Sequence, residues 1–221
     1  MKPSRMTRMM AAACVVAGVG ASPVHAQVPW ESPQLLASST QAGITLMYVD
    51  YGLRPDDGTG LLITYRPAAA LRGPGFRIAG TLPQQSDLRL SGGVDLALPM
   101  FEPSATFPLD VAWTAGFGGA VGDYYSVGLP VGVAASRTFP GDNVWVHPYT
   151  SARVVLEGYF GPGHPDESFG LALAADAGLD ISLHRSRVLI LRAAMSFGDR
   201  RALAVGLQVS PRASPARTAR R

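Results

Sequence analysis

The sequence predicts an all-β protein, a transmembrane antiparallel up-and-down β-barrel of about ten strands. Apolar side chains alternate with small or polar ones from about residue 42 to residue 209, and this period of two is typical of strands with two different faces. The alternating stretches are close to the about 9 to 11 residues that a tilted strand needs to cross a bilayer. An export signal precedes them.

The first 26 residues predict a secretory signal peptide. Lys2, Arg5 and Arg8 form its basic region, Met9 to Gly20 its apolar core, and Val24-His25-Ala26 a cleavage site of small residues. The core is shorter than the about 20 apolar residues of a membrane anchor. The mature chain is therefore expected to begin at residue 27.

Composition narrows the class of the mature chain. The single cysteine, Cys14, lies within the signal, so no disulfide and no thiolate metal site is expected afterwards. Removing the three basic residues of the signal brings the 19 Lys and Arg down to the number of Asp and Glu, 16, so the high calculated pI does not indicate nucleic-acid binding. No run of about 18 apolar residues remains, which leaves a closed barrel as the way to span a membrane.

Residues 27–41 contain proline and serine without a period and predict a periplasmic lead-in. Residues 42–210 follow as the barrel, and residues 211–221 form a basic tail that is expected to be disordered. The ten strand candidates run from Gly43 to Gly52, Gly60 to Arg66, Gly75 to Leu82, Asp87 to Met100, Phe107 to Gly119, Tyr124 to Arg137, Val144 to Phe160, Phe169 to Leu183, Arg187 to Phe197 and Arg201 to Val209.

Turn residues such as Gly, Pro, Asp and Asn separate these candidates. An even count returns both termini to the periplasm. Eight strands is the alternative, because the second and third candidates are short enough to form one hairpin at a rim. Pro130 and Pro148 lie inside candidates and predict local bends.

One face of the strands predicts a lipid-facing exterior. It carries no charge in several strands, as in Leu88, Leu90, Val94, Leu96 and Leu98. Aromatic residues cluster near strand ends and predict interfacial girdles: Tyr48, Tyr51, Phe76, Phe101, Phe107, Tyr124, Tyr125, Tyr159, Phe160, Phe169 and Phe197.

The other face predicts a lumen in which charges pair. A barrel of eight or ten strands has an interior wide enough for side chains only, so inward charges should meet across it. The inward charges are Arg77, Arg89, Asp95, Asp110, Arg153, Glu157, Asp176, Asp180 and Arg192. A network that fills the lumen is the first interpretation, and a selectivity ring for a small solute is the second.

On these features the chain resembles the outer-membrane β-barrel proteins of diderm bacteria. The resemblance covers about residues 42–209 and includes Gly128-Leu-Pro-Val-Gly-Val-Ala134, Pro148-Tyr149 and Ser196-Phe-Gly-Asp199. It implies residence in the outer membrane, contact with its lipid and insertion by the barrel assembly machinery. The chain departs from this family in continuing past Val209 instead of ending on an aromatic residue.

No enzyme, metal site or cofactor is predicted. His147 and Ser151 share a face of one strand but lie about 13 Å apart by strand rise, too far for a nucleophile and its base. The histidines of the mature chain show no metal-ligand spacing.

The predicted function is a monomeric outer-membrane barrel with a structural or surface-interaction role. Two alternatives remain open at this point. One is a small-solute channel of the same fold, and the other is a soluble periplasmic lipocalin-like binder in which the apolar face forms the interior.

Overall fold

A computed structural model describes residues 42–50, 58–67, 74–82, 88–101, 103–161, 168–182, 188–199 and 201–210. The predicted signal peptide, the lead-in up to residue 41 and the basic tail lie outside the described residues and stay predictions. The described residues form eleven strands and no helix. None of them forms a helix that is long and apolar enough to cross a membrane.

The strand bounds are β1 Gly43–Asp50, β2 Thr59–Arg66, β3 Gly75–Leu82, β4 Arg89–Phe101, β5 Asp110–Val121, β6 Tyr125–Ser136, β7 Phe139–Pro140, β8 Trp145–Phe160, β9 Ser168–Ser182, β10 Leu189–Gly198 and β11 Ala202–Val209. All of them except β7 alternate in direction along the chain. Each predicted candidate corresponds to one of these strands, with ends shifted by a few residues.

Ten of the strands close into a ring. Neighbours in the chain pair with each other from β1 to β6, β6 pairs with β8, and the ladder continues through β11 back to β1. The pair Ile44↔Val209 belongs to the closing ladder. Because β2 and β3 each pair on both edges, they are full members of the ring, and the eight-stranded alternative is wrong.

The eleventh strand, β7, lies outside the ring. Its two residues pair with Val146 and Trp145 of β8, beyond the last pair that joins β6 to β8, Tyr149↔Ser136. The sequence predicts a turn here. The extra pairing arises because β8, with 16 residues, extends beyond the end of β6.

The ring has two rims. The rim where β1 begins and β11 ends is called the terminal end, and the opposite rim the distal end. The strands on one side, β4 to β9 without β7, have 12 to 16 residues, whereas β1, β2, β3 and β11 have 8.

Local chemistry explains where the strands differ from the predicted bounds. Predicted strand residues Phe107 to Leu109 precede the strand. Phe107 closes a turn with Ser104: the Phe107 amide donates to Ser104 Oγ at 3.0 Å, and the Ser104 amide donates to the Phe107 carbonyl at 2.8 Å. β5 therefore begins only at Asp110.

Pro130 and Pro148, the prolines that predict bends, occupy irregular parts of the ladder. The pairing of β5 with β6 pauses between Ala115↔Val131 and Gly118↔Gly128, around Pro130, and resumes in the same register. Pro148 lies beyond the end of the ladder to β6, and its carbonyl accepts the Arg137 amide at 3.2 Å. Proline has no backbone N–H to donate, and each of these two prolines lies where the ladder to one neighbouring strand is interrupted or has ended.

The alternation of exposure follows the sequence pattern. In β1 the side chains of Thr45, Met47 and Val49 are buried, and those of Ile44, Leu46 and Tyr48 are exposed. The predicted outward leucines of β4 are exposed by 41 to 55%. Apolar residues thus cover the exterior and the charges are inside, the reverse of the lipocalin-like alternative.

Candidate functional site in the barrel lumen

The inward-facing positions hold most of the predicted charged residues. Eight of the nine predicted inward charges are buried, with 2 to 7% of their surface exposed: Arg77, Arg89, Asp95, Arg153, Glu157, Asp176, Asp180 and Arg192. Asp110 is half-buried, because it is the first residue of β5 and lies at the terminal rim. Their pairing divides them into groups along the inner wall.

Asp95 joins three neighbouring strands. Its Oδ2 accepts from Arg77 Nη2 of β3 at 3.1 Å, and its Oδ1 accepts from Arg66 of β2. A glycine makes room for two of these side chains. A Cβ on Gly75 would lie 2.8 Å from Arg66 Nη2 and 2.9 Å from Asp95 Oδ1.

Asp176 organises a second group on β8, β9 and β10. One carboxylate oxygen accepts from Arg153 at 3.1 Å and from the Ser196 hydroxyl, and the other accepts from Ser151 at 2.6 Å. Thr150 donates to the Asp176 carbonyl at 2.9 Å. The charge of this carboxylate, 2% exposed, is thereby met by an arginine and two hydroxyls.

A third group lies across the seam that closes the barrel. Asp180 accepts from Arg192 Nη2 at 3.1 Å, and Arg192 Nη1 donates to Thr45 of β1 at 3.4 Å. Thr45 donates to Gln208 of β11 at 3.5 Å, and Gln208 donates to Ser210 at 2.8 Å. The hydrogen bonds therefore link the last strands of the chain to the first.

The fourth group combines charges and aromatic rings at the distal end. Tyr159 donates to Glu157 at 2.6 Å, and its ring meets that of Tyr124 edge to face with centroids 5.9 Å apart. The Arg89 guanidinium lies 4.1 Å from the centroid of the Tyr124 ring. The prediction of Tyr159 as a girdle residue is wrong: it is 2% exposed and shares the inward face of Glu157, two positions away.

Apolar side chains occupy the lumen between these groups. Met47, Val49 and Leu62 are fully buried, and they form a cluster with Ala79, Ala202 and Ala204 on the wall of β11, β1, β2 and β3. A smaller cluster joins Ala120, Val155 and Ala172. The side chains of both clusters point into the barrel, so they fill part of the lumen and narrow it.

His147, the histidine that the sequence singles out, and Ser151 have different described partners. His147 Nδ1 shares a hydrogen bond of 2.8 Å with Thr138 Oγ1, whereas Ser151 donates to Asp176. The described residues contain no group of three or more His, Cys, Asp or Glu side chains placed to hold a metal ion.

Sequence reasoning missed several members of the network. Arg66 follows the inward period of β2 but stands at the last position of a short strand, and Ser151, Ser196 and Gln208 are uncharged. The signal available in the sequence was their position on the inward side of the alternating pattern. Their partners depend on strand register and barrel closure, which the period of two does not fix.

Comparison with known proteins adds the following. No protein-family model and no curated protein sequence matches the chain. Among solved structures, a KdgM porin is similar at 10% identity and a TM-score of 0.38, over 76% of this chain and 99% of the porin. The Acinetobacter baumannii outer membrane protein Omp33 is similar at 10% identity and 0.34, over 78% and 100%.

The N-terminal β-barrel domain of Pseudomonas aeruginosa OprF is similar at 12% identity and a TM-score of 0.31, over 76% of this chain and 98% of the domain. Likeness at these scores carries no argument about function. The architecture rests on the ring of strand pairs and on the exposed apolar side chains of this chain. A closed ring satisfies the backbone without an open edge, and an apolar exterior with charges inside is the arrangement of a membrane-spanning barrel.

Proposed function

We propose that the chain is a monomeric β-barrel of the bacterial outer membrane, with a structural or surface-interaction role and no catalysis. The observation that carries this proposal is the lumen, where charges pair and apolar clusters occupy the space between them. Lipid would cover the exterior. The barrel assembly machinery would insert the chain, and no nucleic acid or cofactor takes part.

The charge network supports a structural role more than a transport role. Each of Asp95, Asp176 and Asp180 binds an arginine from another strand. Removing one partner of such a buried pair costs about 3 to 5 kcal/mol, because the other charge stays buried and unpaired. The pairs therefore disfavour a slip of one strand past another, since a slip of one residue would turn these charges toward lipid.

The test is made on the mature protein refolded in detergent. An unboiled sample is expected to migrate faster on a gel than a boiled one, and to be monomeric by light scattering. Reconstituted in a planar bilayer, it should show no discrete conductance at protein amounts at which a control porin conducts. Folded monomer that stays soluble in buffer without detergent would contradict the membrane location, and discrete conductance would contradict the filled lumen.

A small-solute channel is the second candidate. It is favoured by buried donors near the distal end that have no hydrogen-bond partner within the described residues: Thr81 Oγ1, Arg89 Nη1, Ser91 Oγ and Ser126 Oγ. A path lined by such donors would suit an anion. In the same bilayer recordings, discrete currents with a preference for anions would favour this candidate.

A further inference from the structure

Arg89 differs from the other described inward arginines. Arg66 and Arg77 contact Asp95, Arg153 contacts Asp176, and Arg192 contacts Asp180. No carboxylate of the described residues lies within ion-pair distance of Arg89, although its side chain is as buried as theirs, at 4% exposed. Its described contact is the face of Tyr124.

Three hydroxyl groups share this part of the wall. Thr81 is the register partner of Arg89 on β3, and Ser91 follows Arg89 by two positions on the same inward face of β4. Ser126 lies in the same row as Ser91, with Ala120 of β5 between them. At a strand spacing of about 4.8 Å, Thr81 and Ser126 lie about 14 Å apart along the wall, and Arg89 and Ser91 lie between them on β4.

Each of these residues carries a buried polar atom without a partner in the described part of the chain. The atoms are Arg89 Nη1, Thr81 Oγ1, Ser91 Oγ and Ser126 Oγ, and the residues are exposed by 2 to 8%. Buried polar groups in proteins are normally hydrogen-bonded to protein, water or ligand. Four such atoms on one wall therefore provide hydrogen-bonding positions for water or for a ligand.

The chemistry of these four residues selects the ligand. A guanidinium only donates hydrogen bonds, in a planar fork that matches a carboxylate, and hydroxyls complete the shell of its oxygens. Arg89 supplies the positive charge that complements a carboxylate, whereas the carboxylate of Glu157, which accepts from Tyr159, lies on β8 beyond Ser126. Ala120, which lies between Ser91 and Ser126, packs with Val155 and Ala172, so apolar side chains border the hydroxyls.

We propose that Arg89, Thr81, Ser91 and Ser126 form a binding site for a small monocarboxylate on the inner wall near the distal end of the barrel. Arg89 holds the carboxylate through its fork, with Tyr124 stacked against the guanidinium to fix its plane. The hydroxyls bind the remaining lone pairs, directly or through water. The proposed site lies near the distal end and therefore requires no path through the whole length of the barrel.

The probe is sodium acetate, titrated into the ¹⁵N-labelled mature chain in detergent, with sodium chloride keeping the ionic strength constant. Arginine Nε–Hε signals are followed by NMR, and the Arg89 signal is identified by its loss in Arg89→Gln. A saturable shift of this signal is expected, whereas the Arg153 signal stays in place. Ser91→Ala is expected to weaken acetate affinity about threefold to tenfold, as the loss of one hydrogen bond.

Arg137→Gln is the matched control, because Arg137 also stacks on an aromatic ring, at 4.8 Å from the Phe139 centroid, but in the connection after β6. This variant should titrate like the wild type. Arg89→Lys keeps the charge and loses the fork, so acetate should bind it more weakly. An Arg89 signal that acetate leaves unmoved or shifts without saturation overturns the proposal, and so does a stronger response to inorganic phosphate. Conductance does not enter these readouts, so they are independent of the proposed function.

Discussion

At the scale of single residues, inward glycines determine where large side chains fit inside the lumen. Tyr149 of β8 is 5% exposed and packs with Ala134 and Ala194. Its ring lies over Gly178 of β9, its neighbour in register: a Cβ on Gly178 would be 2.2 Å from Tyr149 Cζ. A buried ring between two strands has no room to move aside, so this glycine is required by its neighbour.

We predict that Gly178→Ala destabilises the barrel by about 1 to 3 kcal/mol, the usual cost of overpacking a close-packed interior. Denaturant unfolding in detergent measures it. Gly170→Ala is the control in the same strand, because a Cβ there meets nothing within 4 Å. Equal unfolding midpoints for Gly178→Ala and Gly170→Ala would show that the Tyr149 ring does not pack on Gly178.

The sequence predicts which residues face the lumen better than it predicts what they bind. Parity along each strand placed Arg153, Asp176 and Arg192 inside, and they are buried. The same parity, applied to Glu157, argues that Tyr159 is inside too, yet its position near a strand end suggested a girdle. Partners such as Arg192 and Thr45 meet only because the last strands close on the first, a tertiary event without a local signature.

At the scale of strands, the existence of each ring strand follows from the pattern, and its ends follow from local hydrogen bonds. The period of two continues through Phe107 and Leu109, but Ser104 holds Phe107 in a turn, and β5 begins only at Asp110. β7 has only two residues, too few for any period to show. The choice of ten strands over eight depends on pairing at both edges of β2 and β3, which short alternating segments do not reveal.

One strand end depends on a side chain. β9 extends past its ladder with β10, whose last pair is Gly198↔Ala174. The Leu173 amide, next in line, donates to Asp199 Oδ2 at 2.8 Å, and the Asp199 amide donates to the Leu173 carbonyl at 3.0 Å. Gly198 allows this geometry with its φ of 98°. The Asp199 carboxylate thus accepts the hydrogen bond that the next residue of the ladder would otherwise accept.

We predict that Asp199→Ala speeds hydrogen exchange of the Leu173 amide, because its acceptor is lost, while exchange in the centre of β9 stays unchanged. Site-resolved exchange in detergent tests this. Asp142→Ala, in the connection between β7 and β8, is the control for loss of an exposed carboxylate. Protection of Leu173 that survives in Asp199→Ala would show that the Asp199 side chain does not cap the ladder between β9 and β10.

At the scale of the whole molecule, the exterior determines the surroundings of the barrel. Leu191, Leu207, Leu46 and Ile63 are register partners on β10, β11, β1 and β2, and they are exposed by 39 to 51%. They form a continuous apolar row across four strands, midway along β1. Exposed apolar rows of this extent are unfavourable in water and suited to lipid.

Leu46→Arg therefore tests the exterior directly. An arginine on the lipid face near the bilayer midplane costs about 2 to 4 kcal/mol, and one near the interface costs at most about 1 kcal/mol. The control is Leu82→Arg, at the last residue of β3 and 64% exposed. Folding into lipid vesicles, followed by denaturant titration, should give a large loss for Leu46→Arg and a small loss for Leu82→Arg. Leu46 and Leu82 are both exposed and differ in height along the barrel, so only an environment that changes with depth can distinguish their substitutions. Equal losses of unfolding free energy would therefore mean that the row of Leu46 does not face the bilayer core.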